Sequence, residues 1–332
     1  MASETASSLP GEFEIIAEIF SPLAAHAPGA LGLKDDAARC AVPPGQEMVV
    51  TADALVEGVH FSSDDPPALV ARKALRVNLS DLAAKGAKPE GYLLTISIAP
   101  WVSIDWLKDF AGGLAVDQDE FGISLIGGDT TSTPGPLTLS VTALGSTPLG
   151  AMLRRGGAAE NQLVFVTGTI GDAGAGLAIL EGEGDDLPDA DRDFLVRRYF
   201  LPEPRLQFGG LMRGIATSSV DISDGLLADL GHVASASGVA ITVEAARIPT
   251  CSALNKLWGN SVETIIRAAT SGDDYEIAFT APESLRQPLK AAADEVGVSV
   301  AEIGRVSRGH GLTVLDESGK ALNIKKSGFT HF

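Results

Sequence analysis

The chain has 332 residues, enough for roughly two domains with a core in each. An apolar fraction of 45% with 37 glycines fits an ordinary α/β protein. The net charge of −18, from 25 basic and 43 acidic residues, argues against nucleic-acid backbone or an anionic membrane surface as partner.

Cys40 and Cys251 lie far apart without a CxxC neighbour, so neither a zinc site nor a disulfide framework is expected. That usage suits a reducing compartment, and a cytoplasmic protein is expected. The five histidines show no metal-ligand spacing. MASETASSLPGEF has no basic or apolar leader character, and no apolar run approaches spanning length, so no membrane role is expected.

After a Ser-rich start, FEIIAEIFSPLAAHA places Phe13, Ile16 and Phe20 at helical spacing. EMVVTAD reads as a buried strand ending at Asp53. Residues 66–87 read as one long helix, with Pro66-Pro67 at its start and Gly86 near its end. GYLLTISIA is a strand, SIDWLKDFAGGLAVDQDEFG a helix and LTLSVTALG a strand, closing a first domain over 1–150. A hinge is expected in LGAMLRRGGAAENQ. The second domain, 151–332, opens with the strand LVFVTG, the Gly-rich turn GTIGDAGAG and the helix GLAILEG. GEGDDLPDADRD reads as a solvated acidic loop. Helix RLQFGGLMRGIA, strand SSVDI, helix DGLLADLGHVASASG and strands VAITVEA and YEIAFTA follow. A final helix and strands near VSVAEIG and GLTVLD complete it. The expected fold class is α/β (α+β) in two domains.

Acidic clusters punctuate this pattern: Asp35-Asp36, Asp53, Asp81, Asp129 and the pair Asp221 and Asp224. Carboxylates without basic neighbours repel one another unless a cation joins them, and hard divalent ions with phosphates are the commonest use. Each cluster also has a plain alternative. Asp81 falls on an apolar helical stripe with Ala74, Val77 and Ala84, which would bury it, but Lys85 at i+4 offers a salt bridge. Those two readings balance. Ser223 could cap the helix DGLLADLG, with Asp224 in its first turn. GGDTT around Asp129 is good turn chemistry, although its glycines would also let backbone approach a ligand closely. Asp35-Asp36 could be solvated. All the alternatives would have to hold together, which favours a metal–nucleotide site. GxxxxGK[ST], GxGxxG and GxSxG are all absent, so the chemistry is expected to be metal-centred.

In order along the chain, DDAA, TADALVEGVHF, KALRVNLSDLAAKGA, LIGGDTT, RRGGA, VTGTIGD, DISDGLLADLGH and SGDDYE closely resemble the thiamine-monophosphate kinase family. That family belongs to the aminoimidazole ribonucleotide synthetase superfamily. The resemblance implies ATP-dependent phosphorylation of thiamine monophosphate to thiamine diphosphate. It also implies an N-terminal mixed-sheet domain that pairs across a homodimer, and a C-terminal α/β domain completing the site. Carried over by position, Asp36, Asp53, Asp81, Asp129, Asp221 and Asp224 match Mg2+ ligands, with Thr51 and Ala52 in the same metal shell. Gly128, Arg155 and Ser223 match ATP contacts, and His60, Asp273 and Phe329 match substrate contacts. Ala52 stands where a hydroxyl residue is frequent, Asp273 where Glu is usual, and Phe329 where Tyr or Trp is frequent. No catalytic nucleophile is implied, because an acceptor phosphate is already largely ionised near neutral pH, its second pKa being about 6. The alternatives are an ATP-dependent synthetase of the same superfamily and a non-catalytic protein that binds divalent cations. Selenophosphate synthetase is less favoured, since the N-terminal segment lacks the Cys and Lys pair.

Overall fold

The computed structural model describes residues 9–324 and 327–329, so the Ser-rich start lies outside the described residues. The chain forms two compact units. One takes the chain up to Leu79 together with Pro89–Ser146, and the other takes Ser80–Lys88 together with the chain from Thr147 onward.

The first unit starts with α1 (Glu12–Ile15), continued by further helical turns to Ala24 as the spacing of FEIIAEIF predicts. Phe13 nevertheless stays exposed, while Ile15, Ile19 and Phe20 turn inward. Strand β1 (Gln46–Val56), helix α2 (Pro67–Ala84), strand β2 (Lys88–Ile98), helix α3 (Ile104–Phe121) and strands β3 (Leu125–Ser132) and β4 (Thr138–Pro148) follow. The sheet order is β1-β4-β2-β3, with β2 and β3 parallel. One expectation and one of the plain alternatives change here. EMVVTAD is not a buried strand: β1 lies at the sheet edge, continues past Asp53 to Val56, and leaves Val50 57% exposed. GGDTT is not a turn but the middle of β3, where pairing with β2 uses the backbone groups that a turn would have bonded locally. A register shift beside Tyr92 and Leu93 puts the extra residue, Ile126, just ahead of the glycines.

Helices α2 and α3 are clamped together by charge. Arg76 Nε and Nη2 donate to the two carboxylate oxygens of Asp117 at 2.7 and 2.9 Å, and Arg72 Nε adds a bond of 2.7 Å. Asp117 is wholly buried, so both arginines are needed to offset its desolvation.

The second unit contains β5 (Leu163–Thr167), α4 (Asp172–Leu180), α5 (Asp189–Phe200), α6 (Leu206–Met212), β6 (Ser218–Asp221), α7 (Leu226–Ser237) and β7 (Ala240–Glu244). Then come α8 (Ser252–Trp258), α9 (Val262–Ala269), β8 (Ile277–Ala281), α10 (Arg286–Glu295), β9 (Val300–Ser307) and β10 (Gly311–Leu315). The sheet order is β10-β7-β9-β5-β8-β6; β10 and β7 are parallel and the other pairs antiparallel. Central β5 is apolar at every position but its last because both faces are covered. Val164 and Val166 pack with Leu226, Leu230 and Ile241, whereas Leu163 and Phe165 pack with Phe208, Phe279 and Leu289.

Three further differences stand out. The second half of GTIGDAGAG is the start of α4 rather than a turn. The acidic loop gives way to α5, whose first turn holds Asp189 and Asp191 and whose last holds Arg197 and Arg198, each sign matched to the helix dipole. Helices α8 and α9 fill a stretch to which no element had been assigned.

Candidate functional site

In the first unit, strand alternation puts Thr51 and Asp53 on one face of β1 and the exposed Ala52 on the other. The Asp53 N–H donates to Asn78 Oδ1 at 3.1 Å, and the buried Asn78 amide donates to Ala74 O at 3.0 Å. Asn78 therefore ties β1 to α2 at Asp53. Its sequence signal was a lone amide on an apolar helix, which a buried polar group justifies only through its partners. His60 is half-buried and its Nδ1 accepts the Val56 N–H at 3.0 Å, so a neutral ring carries its proton on Nε2. Asp36 lies in an exposed bend, with its N–H donating to Asp35 Oδ1 at 2.8 Å. Gly128 has φ 154°, and a Cβ there would stand 1.8 Å from Leu94 O. Its close approach is thus to strand β2, which is a different reason for glycine than access to a ligand. Asp129 is exposed on β3, and β4 and β2 separate it from β1. The sheet does not make Asp53 and Asp129 neighbours.

The second unit brings its residues together. Edge strand β6 ends at Asp221; the last turn of α2 carries Asp81, and Lys85 follows directly after the helix, its N–H donating to Asp81 O at 3.0 Å. Burial, then the charge of Asp81, hold the Asp221 carboxyl well above the usual carboxylate range, against the opposing Lys85 and a hydrogen bond from Ser80. Lys85 Nζ donates to Ser219 O at 3.1 Å. Burial lowers its pKa although Asp221 and Asp81 both favour its charge, and nearby Arg155 lowers it further. Lys85 therefore answers the charges of two carboxylates rather than of Asp81 alone. Asp81 itself is half-buried rather than enclosed.

Beyond Asp221 the chain turns through Ile222–Gly225. Helix α7 begins only at Leu226, with Gly225 preceding it and no side-chain cap. The expected cap by Ser223 is not formed. Instead Asp229, from inside the helix, reaches back and accepts the N–H groups of Ser223 and Asp224 at 3.1 and 3.2 Å. Burial and the charge of Asp224 push the Asp229 carboxyl up to about 7. Ligand atoms of Asp224, Asp229 and His232 lie within 4.8 Å of one another. Two segments grip this turn: Asp273 N–H donates to Ser223 O at 2.9 Å, and Phe329 N–H donates to Asp224 O at 2.9 Å. The Phe329 ring is 44% exposed. Exposed Arg155 is set beside β6 because Arg154 O accepts the Ser219 N–H at 2.8 Å. The glycines that follow fit the close packing there, since a Cβ on Gly156 would meet Ala236 O at 2.8 Å.

Sequence comparison matches residues 34–147 to the family described as AIR synthase related protein, N-terminal domain, and residues 159–317 to its C-terminal domain. The thiamine-monophosphate kinase of Caulobacter vibrioides is 41% identical over 99% of this chain and 93% of that protein. The chain belongs to the thiamine-monophosphate kinase family. A solved thiamine-monophosphate kinase from Stenotrophomonas maltophilia K279a superposes with a TM-score of 0.84 at 39% identity, covering 94% of this chain and 98% of that one. A structure described as AaThiL complexed with AMPPCP and TMP superposes with a TM-score of 0.76 at 30% identity, covering 98% and 100%. Family membership thus extends over both units.

The donors in the second unit suit a hard divalent ion. They are carboxylate oxygens, two of which sit in mutual repulsion, and Ser219 Oγ is buried without a hydrogen-bond partner among the described residues. Among the described residues no helix is long and apolar enough to cross a membrane.

Proposed function

We infer that the chain transfers the γ-phosphoryl group of ATP to the phosphate of thiamine monophosphate, giving thiamine diphosphate. The observation that carries this is the full-length likeness to AaThiL, solved with AMPPCP and TMP, alongside the named kinase relatives.

The central obstacle is repulsion between two polyanions. Bound Mg2+ would screen that charge and stabilise in-line transfer. Asp36, Thr51, Ala52 (through its carbonyl), Asp53 and Asp129 in the first unit, with Asp81, Asp221 and Asp224 in the second, are the residues proposed to hold it. Arg155, Ser223 and Gly128 are assigned to ATP, and His60, Asp273 and Phe329 to thiamine monophosphate. In this reading Lys85 keeps Asp81 and Asp221 apart from open repulsion. Asp229 fixes the backbone that carries Ser223 and Asp224. The acceptor oxygen arrives ionised, so no side chain need remove a proton, and transfer is direct. The exposed ring of Phe329 and the acid Asp273 suit a cationic thiazolium. The open edge of β1 is the proposed homodimer contact, and the cytoplasm the proposed compartment.

A coupled ADP-release assay over thiamine, thiamine monophosphate and aminoimidazole precursors tests the reading. Turnover with thiamine monophosphate alone is expected. Equal turnover of free thiamine would contradict it, because a hydroxyl acceptor requires a base. Turnover only with an aminoimidazole precursor would favour a synthetase.

A further inference from the structure

Between α9 and β8 the chain runs from Ser271 to Glu276 with neither helix nor strand. Asp273 and Tyr275 hold left-handed backbone angles there, with φ 69° and 50°. Non-glycine residues persist in that region only where the surroundings over-determine them.

The intervening residues supply that determination. Asp274 is 1% exposed and accepts the N–H groups of Gly171 at 2.7 Å and Ala173 at 3.3 Å, at the open N-terminus of α4. Glu276 is wholly buried and accepts from Thr167 Oγ1 at 2.6 Å, Arg198 Nη2 at 2.9 Å and Arg205 Nε at 2.8 Å. A Cβ on Gly168 would meet Glu276 Oε1 at 2.1 Å, so this carboxyl is also fitted against the backbone. On its other side the segment holds the turn after β6. Asp273 N–H donates to Ser223 O at 2.9 Å and Tyr275 N–H to Ile222 O at 2.8 Å. Even-numbered side chains fasten the segment, while odd-numbered backbone groups steady the turn that carries Asp224.

We propose that Asp274 and Glu276 are positioning residues of the kinase. They clamp 271–276 onto the N-terminus of α4 and onto Arg198 and Arg205, and so fix Asp273 for thiamine monophosphate and the Ile222–Asp224 turn for the metal. The proposal rests on the reading of Asp224 and Asp273 given above. Both carboxyls are buried, and they act through the adjoining left-handed residues Asp273 and Tyr275.

The test compares Asp274→Asn and Arg205→Lys with the parent. An amide has one carbonyl oxygen, so the first variant loses one of the two N–H bonds and turns an NH2 group toward the other donor. Lysine keeps the charge at 205 but cannot fork onto Glu276, and the site is partly exposed, so this variant is expected to fold. Three readouts are needed: steady-state kinetics, amide hydrogen exchange of the peptide spanning 271–276, and thermal melting. Both variants should exchange faster in 271–276, with parent-like melting. Their kcat/KM for thiamine monophosphate should fall about tenfold or more, the scale of one charge-assisted hydrogen bond, with the ATP KM within about twofold. Parent-like exchange and kcat/KM in both variants would overturn the proposal. So would exchange raised across the whole chain with both KM values unchanged, which marks a structural role only. A parent inactive toward thiamine monophosphate overturns the assigned reaction instead, and exchange in 271–276 then reports on the clamp by itself.

Discussion

Lys85 stands within electrostatic reach of Asp81 and Asp221, and this arrangement governs what each substitution there should do. Asp81→Asn replaces a charged ligand with an amide of nearly equal volume. If Asp81 screens phosphate charge through metal, kcat should drop by roughly a hundredfold or more. Melting without nucleotide should not fall, because repulsion with Asp221 is relieved. Steady-state kinetics beside a melting curve decide the matter. Near-normal turnover, or a much lower transition, would make Asp81 a structural partner of Lys85. The two cysteines give a second check at this scale. Burial first, then the charge and hydrogen bond of Asp172, raise the Cys251 thiol from 9.0 to about 12, whereas Cys40 is exposed. Iodoacetamide at pH 8 should therefore label Cys40 and spare Cys251 until the chain is denatured, which intact-mass measurement would show. By the same linkage, the contribution of Cys251 to stability is fully present below about 9 and is lost as pH rises toward 12.

Among the elements, the α2–α3 clamp makes the sharpest mechanical claim. Asp117→Asn would leave Arg72 and Arg76 facing an amide in a buried place, a loss of about 3 kcal/mol. Urea unfolding measures it, and a change below about 1 kcal/mol would show that Glu120 takes over the load. Elements with strong periodicity were legible in the sequence: α2, α3, β2, β4 and β5 fall where apolar spacing puts them. β3 was not, because Gly127-Gly128 looks like a turn until a neighbouring strand claims its backbone. α5 was hidden by its charge, although acids in its first turn and arginines in its last were a usable signal. At the candidate site, the aspartates stood out in the sequence, and the structure brings Asp81 and Asp221 within electrostatic reach of one another but does not make Asp53 and Asp129 neighbours. Asn78 and Asp229 were missed, and Lys85 was read only as a partner of Asp81, because their value lies in partners distant in sequence, or in a bond running backward from a helix. The alternative of a cap at Ser223 fails because α7 starts only at Leu226, with Gly225 in the cap position, while Asp229 reaches back to the Ser223 and Asp224 N–H groups.

For the whole molecule, a net charge of −18 means that an anionic nucleotide should bind poorly unless cations accompany it. Calorimetric titration should show weak binding of Mg2+ alone, weak binding of ATP alone, and tight binding of the two together. Strong binding of Mg2+ without nucleotide would favour a cation-binding protein over a kinase.

The strand order of the second sheet also bears on how the protein is made. β5 is the first strand of that sheet to be synthesised, yet its two neighbours are β8 and β9. Until Ala281 and then Ser307 have left the ribosome, the apolar run Leu163–Val166 has two open edges and no permanent cover. Such a segment tends to pair with other nascent chains, and the pairing that protects it closes late and across a long loop. Chains truncated before β9 should accordingly accumulate as insoluble material, and the protein should depend on holdase chaperones during translation more than its final core would suggest.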